Sequence, residues 1–188
     1  MTNVLGIIAE DESDVSVINI LIRKMARKPF GLKRQIGHGS GRIRGKCRAW
    51  ANTLKRRGCN LLIIVHDLDA RDLRQLYRTL SEALGASPIA EHAIIIPVRE
   101  VEAWLMADHE AIRRTFRFRA PLGPIANPET KPRPKEFLRD LIYQRSEGRI
   151  IYLNTVHNVR IAEQCTATNL NRCESFRPLA DFVARTLV

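Results

Sequence analysis

The sequence predicts a doubly wound α/β fold, a mainly parallel four-stranded sheet with helices on both faces and a helical C-terminal elaboration. Two observations carry that expectation. Short apolar runs rich in β-branched residues alternate with stretches of helical periodicity, and such alternation implies parallel strands joined by right-handed crossovers. Acidic residues also fall just past the ends of the apolar runs, where open α/β sheets bind ligands.

The elements follow in order. Val4 to Ala9 reads as a buried strand, and Val15, Ile18, Ile22 and Met25 recur at helical spacing, with Ser13 or Asp14 suited to cap that helix. Residues 33–37 form a weaker second strand, followed by the Gly-rich loop Gly37-His38-Gly39-Ser40-Gly41. Lys46 to Arg57 is helical and stops at Gly58; Leu61 to Val65 is a strand. Asp72 to Leu84 is a helix stopped by Gly85, Ala93 to Val98 is the fourth strand, and Val101 to Ala107 begins a further helix. Pro121, Pro124, Pro128, Pro132 and Pro134 then force an extended connection. Beyond it, Lys135 to Gln144, Asn158 to Cys165 and Phe176 to Leu187 read as helices, with Arg149 to Leu153 as an edge strand. The expected organisation is a core over residues 1–116, a Pro-rich loop over 117–134, and a helical elaboration over 135–188 packed on the core.

A chain of 188 residues buries one sizeable core, and a 45% apolar content is ordinary for a folded domain. The N-terminus lacks the basic start and long apolar stretch of a secretory signal, and no apolar run approaches the roughly 20 residues that span a bilayer. A cytoplasmic location without membrane attachment is the expectation. Cys47, Cys59, Cys165 and Cys173 form no C-x-x-C pair, so reduced, packed thiols are expected rather than a zinc site.

The net charge of +11 is unevenly distributed. Residues 15–66 contain no Asp or Glu but thirteen Lys and Arg, and the rest of the chain is close to neutral. A surface facing phosphates has this character, because neutralising them releases counterions. Arg42, Arg44, Lys46, Arg48, Lys55, Arg56 and Arg57 are therefore the candidate nucleic-acid-binding residues. A solvated face, or a dock for an acidic partner protein, is the plainer alternative.

Glu10 follows the first strand, Asp67 and Asp69 the third, Glu100 and Glu102 the fourth. In a parallel sheet these positions share one edge. Crowded carboxylates resist ionising together, and a divalent cation removes the conflict. An oxygen-only set without His or Cys at ligand spacing favours Mg²⁺ or Mn²⁺. Each carboxylate taken singly could instead cap a helix, which is the preferred reading of Asp14 and Asp72.

Two motifs carry a resemblance. Ile7-Ile8-Ala9-Glu10-Asp11-Glu12-Ser13-Asp14 resembles the first Toprim motif, an apolar strand ending in Glu with Ser/Thr-Asp three and four positions on; Ile63-Ile64-Val65-His66-Asp67-Leu68-Asp69 resembles the second, ending in D-x-D. The resemblance implies a Toprim-like (Rossmann-like) fold, acid/base or metal-binding work for Glu10, and Mg²⁺ binding by Asp67 and Asp69. The sequence departs from the pattern at Asp11, where many Toprim proteins carry Gly. Glu100-Val101-Glu102-Ala103-Trp104-Leu105-Met106-Ala107-Asp108 and Arg172-Cys173-Glu174-Ser175-Phe176 resemble a narrower group of small Toprim-like proteins, often encoded beside an ATPase and suspected of acting in phage defence. By that likeness Glu102 joins the metal residues and an ATPase is a partner; read from its helix alone, Glu102 balances the dipole in a first turn. The expected function is a Mg²⁺-dependent nuclease hydrolysing phosphodiester bonds in DNA or RNA. The alternative is a non-catalytic subunit of the same shape that binds nucleic acid or the ATPase.

Other readings fit less well. A phosphorelay receiver needs Ser or Thr after its fourth strand and a later Lys, and Pro97-Val98-Arg99 does not supply them. A haloacid-dehalogenase-like phosphatase continues its D-x-D to Thr or Val, where Arg71 stands. Ser40-Gly41-Arg42-Ile43-Arg44-Gly45-Lys46-Cys47 brushes against a phosphate-binding P-loop but lacks its first Gly and final Ser/Thr, and reads as a basic loop. His38, His66 and His157 are structural rather than catalytic on this reading, and Lys135, Arg149 and Tyr152 are the elaboration's candidates for reaching substrate phosphate.

Overall fold

Four parallel strands run in the order β2-β1-β3-β4, with helices against both faces of the sheet. The computed structural model describes residues 2–37 and 40–188, the side chain of Ser40 excepted. His38 and Gly39 lie outside the described residues. The strands are β1 (Asn3–Ala9), β2 (Phe30–Ile36), β3 (Leu61–Val65) and β4 (Glu91–Ile95), so the sheet is wholly parallel and its architecture is Rossmann-like.

Alternation along the two central strands divides the apolar side chains between two cores. Leu5, Ile7, Leu61, Ile63 and Val65 face helix α1 (Glu12–Met25) and the C-terminal helices, whereas Ile8, Leu62 and Ile64 face α2 (Ser40–Arg56) and α3 (Leu73–Leu84). The first core also takes in α4 (Val101–Ala107), α5 (His109–Phe116), α6 (Pro134–Arg145), α7 (Asn154–Gln164), α8 (Ala167–Leu170) and α9 (Arg177–Leu187). The C-terminal helices thus share one continuous apolar interior with α1 and the sheet. Among the described residues no helix is long and apolar enough to cross a membrane.

Several boundaries differ from the sequence expectation for local reasons. Helix α1 starts earlier because Asp11, not Ser13 or Asp14, is its cap and accepts from the Asp14 N–H at 3.0 Å. Asp72 does cap α3, accepting from the Gln75 N–H at 2.8 Å, and Gly85 follows the helix with φ 60°. Residues 40–45, expected as a basic loop, are the first turns of α2: Ile43, Cys47, Ala51 and Leu54 form its buried stripe. The expected strand at Arg149 to Leu153 is absent. That segment leaves Ile151 and Leu153 exposed, while Tyr152 is buried.

The late Arg172-Cys173-Glu174-Ser175-Phe176 run clasps helix α4. Arg172 donates to the carbonyl oxygen of Ala107 at 3.0 Å, and Phe176 packs edge-on against Trp104 with ring centroids 5.3 Å apart. Ser175 Oγ accepts from Trp104 Nε1 at 2.7 Å and from the Val98 N–H at 3.0 Å, and donates to Glu129. Glu129 also accepts from the N–H groups of Glu174 and Ser175. One hydroxyl thereby ties the loop after β4, helix α4 and the Pro-rich segment together.

Helix α2 approaches the sheet closely at Gly6. A Cβ there would stand 2.9 Å from Leu54 Cδ1 and 3.4 Å from Cys59 Sγ. Gly6→Val is expected to destabilise the fold by about 1–3 kcal/mol through overpacking. A lowered urea midpoint with unchanged slope is the expected observation, and unchanged stability would show that α2 yields freely.

Candidate metal centre

In the order β2-β1-β3-β4 the connection leaving β1 runs over one face through α1, and the connection entering β3 runs over the other through α2. The chain reverses its winding direction between β1 and β3, and a crevice opens there at the carboxyl ends of the strands. Ile8 pairs with Ile64, so Glu10 and Asp67 emerge from neighbouring strand tips into that crevice. Pairing with β4 continues past the regular strand: the His66 N–H donates to Ile95, the Leu68 N–H to Pro97 and the Asp69 N–H to Arg99. This ladder carries Glu100 and the start of α4, which bears Glu102, towards the Asp67 strand end.

Of the expected set Glu10, Asp67, Asp69 and Glu102, the charges of Glu10 and Glu102 act on the Asp67 carboxyl. Burial pushes the Asp67 carboxyl well above the usual carboxylate range, and the charges of Asp14, Glu102, Glu10 and Glu100 add to the effect. Asp14 was expected as a helix cap; it stands instead in the first turn of α1 within this group, where burial and then Asp11, Glu102 and Glu10 push it up to about 8. The spacing Glu10 to Asp14, one helical turn past a strand end, is the signal that could have found it.

Asp69 is placed differently. It adopts φ 53°, which breaks the alternation of the D-x-D stretch and turns its side chain toward solvent, 51% exposed and with Oδ2 3.7 Å from Arg71 Nη2. The structure thus separates Asp69 from the buried oxygens, for a backbone reason. The opposing loop residue Arg99 is also left-handed, at φ 67°, and its Nη1 donates to the Asp69 carbonyl at 2.9 Å.

Three further groups hold the carboxylates in place. His66 is fully buried; its Nδ1 lies 2.8 Å from the Asp67 carbonyl oxygen and 2.9 Å from Glu10 Oε1, while Nε2 stands 3.4 Å from Arg71 Nη1. A carbonyl only accepts and a guanidinium only donates, so the ring proton sits on Nδ1 and is directed at Asp67. Glu102 is buried, which raises its pKa, and its Oε1 accepts from Asn158 Nδ2 at 3.0 Å. Asn158 in turn accepts from the Tyr152 hydroxyl, so Tyr152 is committed to the interior rather than reaching for substrate. Arg149 donates to Ser146 and Glu147. Lys135 does approach the acidic group: burial disfavours its charge, but Glu102, Glu100, Asp11 and Asp67 outweigh that and raise its pKa. Glu100 fixes the position by accepting from the Lys135 N–H at 3.0 Å.

A divalent cation fits this chemistry. Asp67 Oδ1 is buried without a hydrogen-bond donor, and the buried Glu10 Oε1 has beside it only the His66 Nδ1–H, 2.9 Å away and directed at the Asp67 carbonyl; buried carboxylate oxygens so placed are costly unless a cation or proton satisfies them. Among the described residues no three His, Cys, Asp or Glu side chains already stand at metal-ligating spacing. Glu10 and Asp67, with Asp14 and Glu102 beside them, would therefore hold a Mg²⁺-sized ion through one or two carboxylates, with water and substrate oxygens completing its shell.

The candidate nucleic-acid residues divide into two groups. Arg42, Arg44, Lys46 and Arg48 are exposed on the first half of α2, whose N-terminus follows β2 and so begins at the acidic rim. Lys55, Arg56 and Arg57 are exposed at the far end, roughly 20 Å away at 1.5 Å per helical residue. Among the described residues, no ion pair to a carboxylate engages any of the seven.

Fold and rim define a Rossmann-like α/β protein with a buried acidic crevice at its topological switch point. The chain belongs to the family described as "Domain of unknown function (DUF4276)", whose model matches residues 9–184. No curated protein and no solved structure gives a significant match.

The acidic group sets a pH dependence. In metal-free protein the folded chain retains a proton on Asp14 up to about 8, whereas the unfolded chain releases it near 3.8. Between those values the folded state binds more protons, so this group's contribution to stability falls as pH rises through the window. Thermal melts in EDTA should show Asp14→Asn gaining on the native chain from pH 5 to pH 8. Mg²⁺ or Mn²⁺ should raise the native melting temperature more at pH 8 than at pH 5, and parallel curves would remove Asp14 from the group.

Proposed function

We propose that the chain is a Toprim-like nuclease that hydrolyses phosphodiester bonds in nucleic acid with Mg²⁺ or Mn²⁺ held at the carboxyl rim. The observation that carries the reading is the pair of buried, under-satisfied carboxylate oxygens at adjacent strand tips, Asp67 Oδ1 with no donor and Glu10 Oε1 with only the shared His66 Nδ1–H near it. When bound, the ion supplies Lewis-acid stabilisation of phosphate oxygens and a more acidic water. The chain's own residues do the rest. Glu10 and Asp67 hold the ion, assisted by Asp14 and Glu102, and Asn158 keeps Glu102 oriented. Lys135, charged and half-buried beside the carboxylates, is placed to meet a phosphate oxygen. Arg42, Arg44 and Lys46 lie at the rim end of α2 and draw the strand to the crevice by charge.

The exposed cationic face of α2 equally favours a second reading, a non-catalytic subunit that binds nucleic acid or a partner ATPase. Cleavage separates the two. Asp67→Asn should abolish Mn²⁺-dependent nicking of plasmid DNA while leaving the fold intact by circular dichroism. Asn158→Ala, which frees Glu102, should cost about 10–100-fold, as loss of a group supporting a metal-binding side chain does. Cleavage by Asp67→Asn at the native rate would refute the assignment.

The binding term is measured apart from chemistry. In EDTA, Arg44→Glu with Lys46→Glu should weaken retention of duplex DNA and reduce the slope of log K against log salt by about 0.9 for each phosphate that is no longer neutralised. An unchanged slope would place the nucleic acid elsewhere.

A further inference from the structure

A second concave site lies away from the acidic rim, between the C-terminal ends of α5 and α6. It has a volume of about 790 Å³, and four guanidinium-bearing residues line it: Arg117, Arg119, Arg145 and Arg149. Its one lining carboxylate, Glu147, is engaged by Arg149 at 3.0 Å. Among the described residues no ion pair to a carboxylate involves Arg117, Arg119 or Arg145.

Helix ends alone do not account for this concentration of charge. Cations are favoured at helix C-termini, which explains Arg145 in the last turn of α6 and Arg117 at the end of α5. Arg119 and Arg149 lie beyond the helices and gain little from that effect. Arg117 moreover occupies a left-handed position, φ 54°, where glycine would be the unstrained residue. Phe116 and Phe118 stack with centroids 5.7 Å apart and line the same cavity with Ile150, giving it an apolar wall.

We propose that this cavity binds the phosphate groups of a nucleotide unit, either a free nucleotide or one within a nucleic-acid strand. Guanidinium forks match phosphate oxygens two at a time, which favours phosphate over a simple halide or a single carboxylate. The cavity is too large for one inorganic phosphate and falls in the range of small-ligand sites, and its aromatic wall suits a sugar or base. It lies at the opposite end of α6 from Lys135, about 15 Å along the helix at 1.5 Å per residue. That span would let a strand reach both places, although the proposal does not depend on cleavage at the rim.

The experiment uses the full chain in EDTA at about 50 mM salt, so that no metal-dependent chemistry enters. Titration calorimetry with ADP, and anisotropy with a 5′-phosphorylated, labelled single-stranded hexanucleotide, compare the native chain with Arg119→Ala/Arg145→Ala. Both arginines are exposed, so this variant should keep the native melting temperature; Arg119→Lys/Arg145→Lys, which retains charge but loses the fork, serves as a second comparison. The expected result is saturable binding of at least one probe, weakened tenfold or more by the alanine pair and partly by the lysine pair. Tighter binding of the hexanucleotide assigns the site to a strand, and tighter binding of ADP assigns it to a free nucleotide; either supports the proposal. Failure of both probes to bind, or equal binding by the native chain and the alanine pair, would overturn it. Neither result depends on whether Asp67 supports cleavage.

Discussion

Burial of several carboxylates at one rim of the sheet is the constraint around which the rest of the molecule is arranged. Removing a charged carboxylate from water is costly, and placing a second and third beside it multiplies the cost. Asp67, Asp14 and Glu102 are all raised by burial, and further carboxylates add to the effect on each, with Lys135 opposing it at Glu102. A protein selected for stability alone would place apolar residues here. The surrounding hydrogen bonds offset only part of the cost, leaving Asp67 Oδ1 without a donor and Glu10 Oε1 to share the His66 Nδ1–H with the Asp67 carbonyl.

The C-terminal half acts as the frame that holds this arrangement. Lys135 brings a positive charge that responds to Glu102, Glu100, Asp11 and Asp67 together, and it does so from the first turn of α6. Asn158 on α7 reaches Glu102, and Tyr152 anchors Asn158. The Arg172 to Phe176 clasp presses on α4, the short helix that carries Glu102. These contacts explain why the C-terminal helices join α1 in one core: the site is built across both, and an independent appendage could not hold Glu102 and Asp14 in mutual range.

Much of this was legible in the sequence because parallel topology is read from alternating patterns, and topology alone brings strand ends together. All four strands follow from that logic, the Asp72 cap and the Gly85 stop follow from helix-end chemistry, and the positions of Glu10, Asp67 and Glu102 just past strand ends follow from the strands. What escaped depended on local backbone choices. A D-x-D sequence predicts two carboxylates on one face, but the left-handed turn at Asp69 sends the second outward. Asp14 looked like a cap because Asp is common there; Asp11 took that role and left Asp14 to the crevice. Gly41 and Gly45 made the start of α2 look like a loop, yet the buried stripe from Ile43 onward outweighed their helix propensity. The expected strand at Arg149 to Leu153 failed because β4, not a later segment, forms the edge of the sheet.

The charge distribution then has a consistent physical logic. A net charge of +11 gives the molecule a long-range attraction for polyanions, while the crevice locally repels them. Those opposing tendencies are reconciled only if something neutralises the crevice before an anion arrives, since Lys135 alone faces several carboxylates. Screening weakens the attraction beyond about 8 Å at physiological ionic strength, so the cations that matter most for the crevice are the near ones, Arg42, Arg44 and Lys46 on the rim half of α2. Lys55 to Arg57, at the far end of the same helix, add to the overall charge more than to the field at the crevice. A basic surface around an acidic crevice is thus an arrangement in which, on the proposed reading, binding and chemistry would be separately tunable, with the occupancy of the crevice deciding whether a strand can enter it.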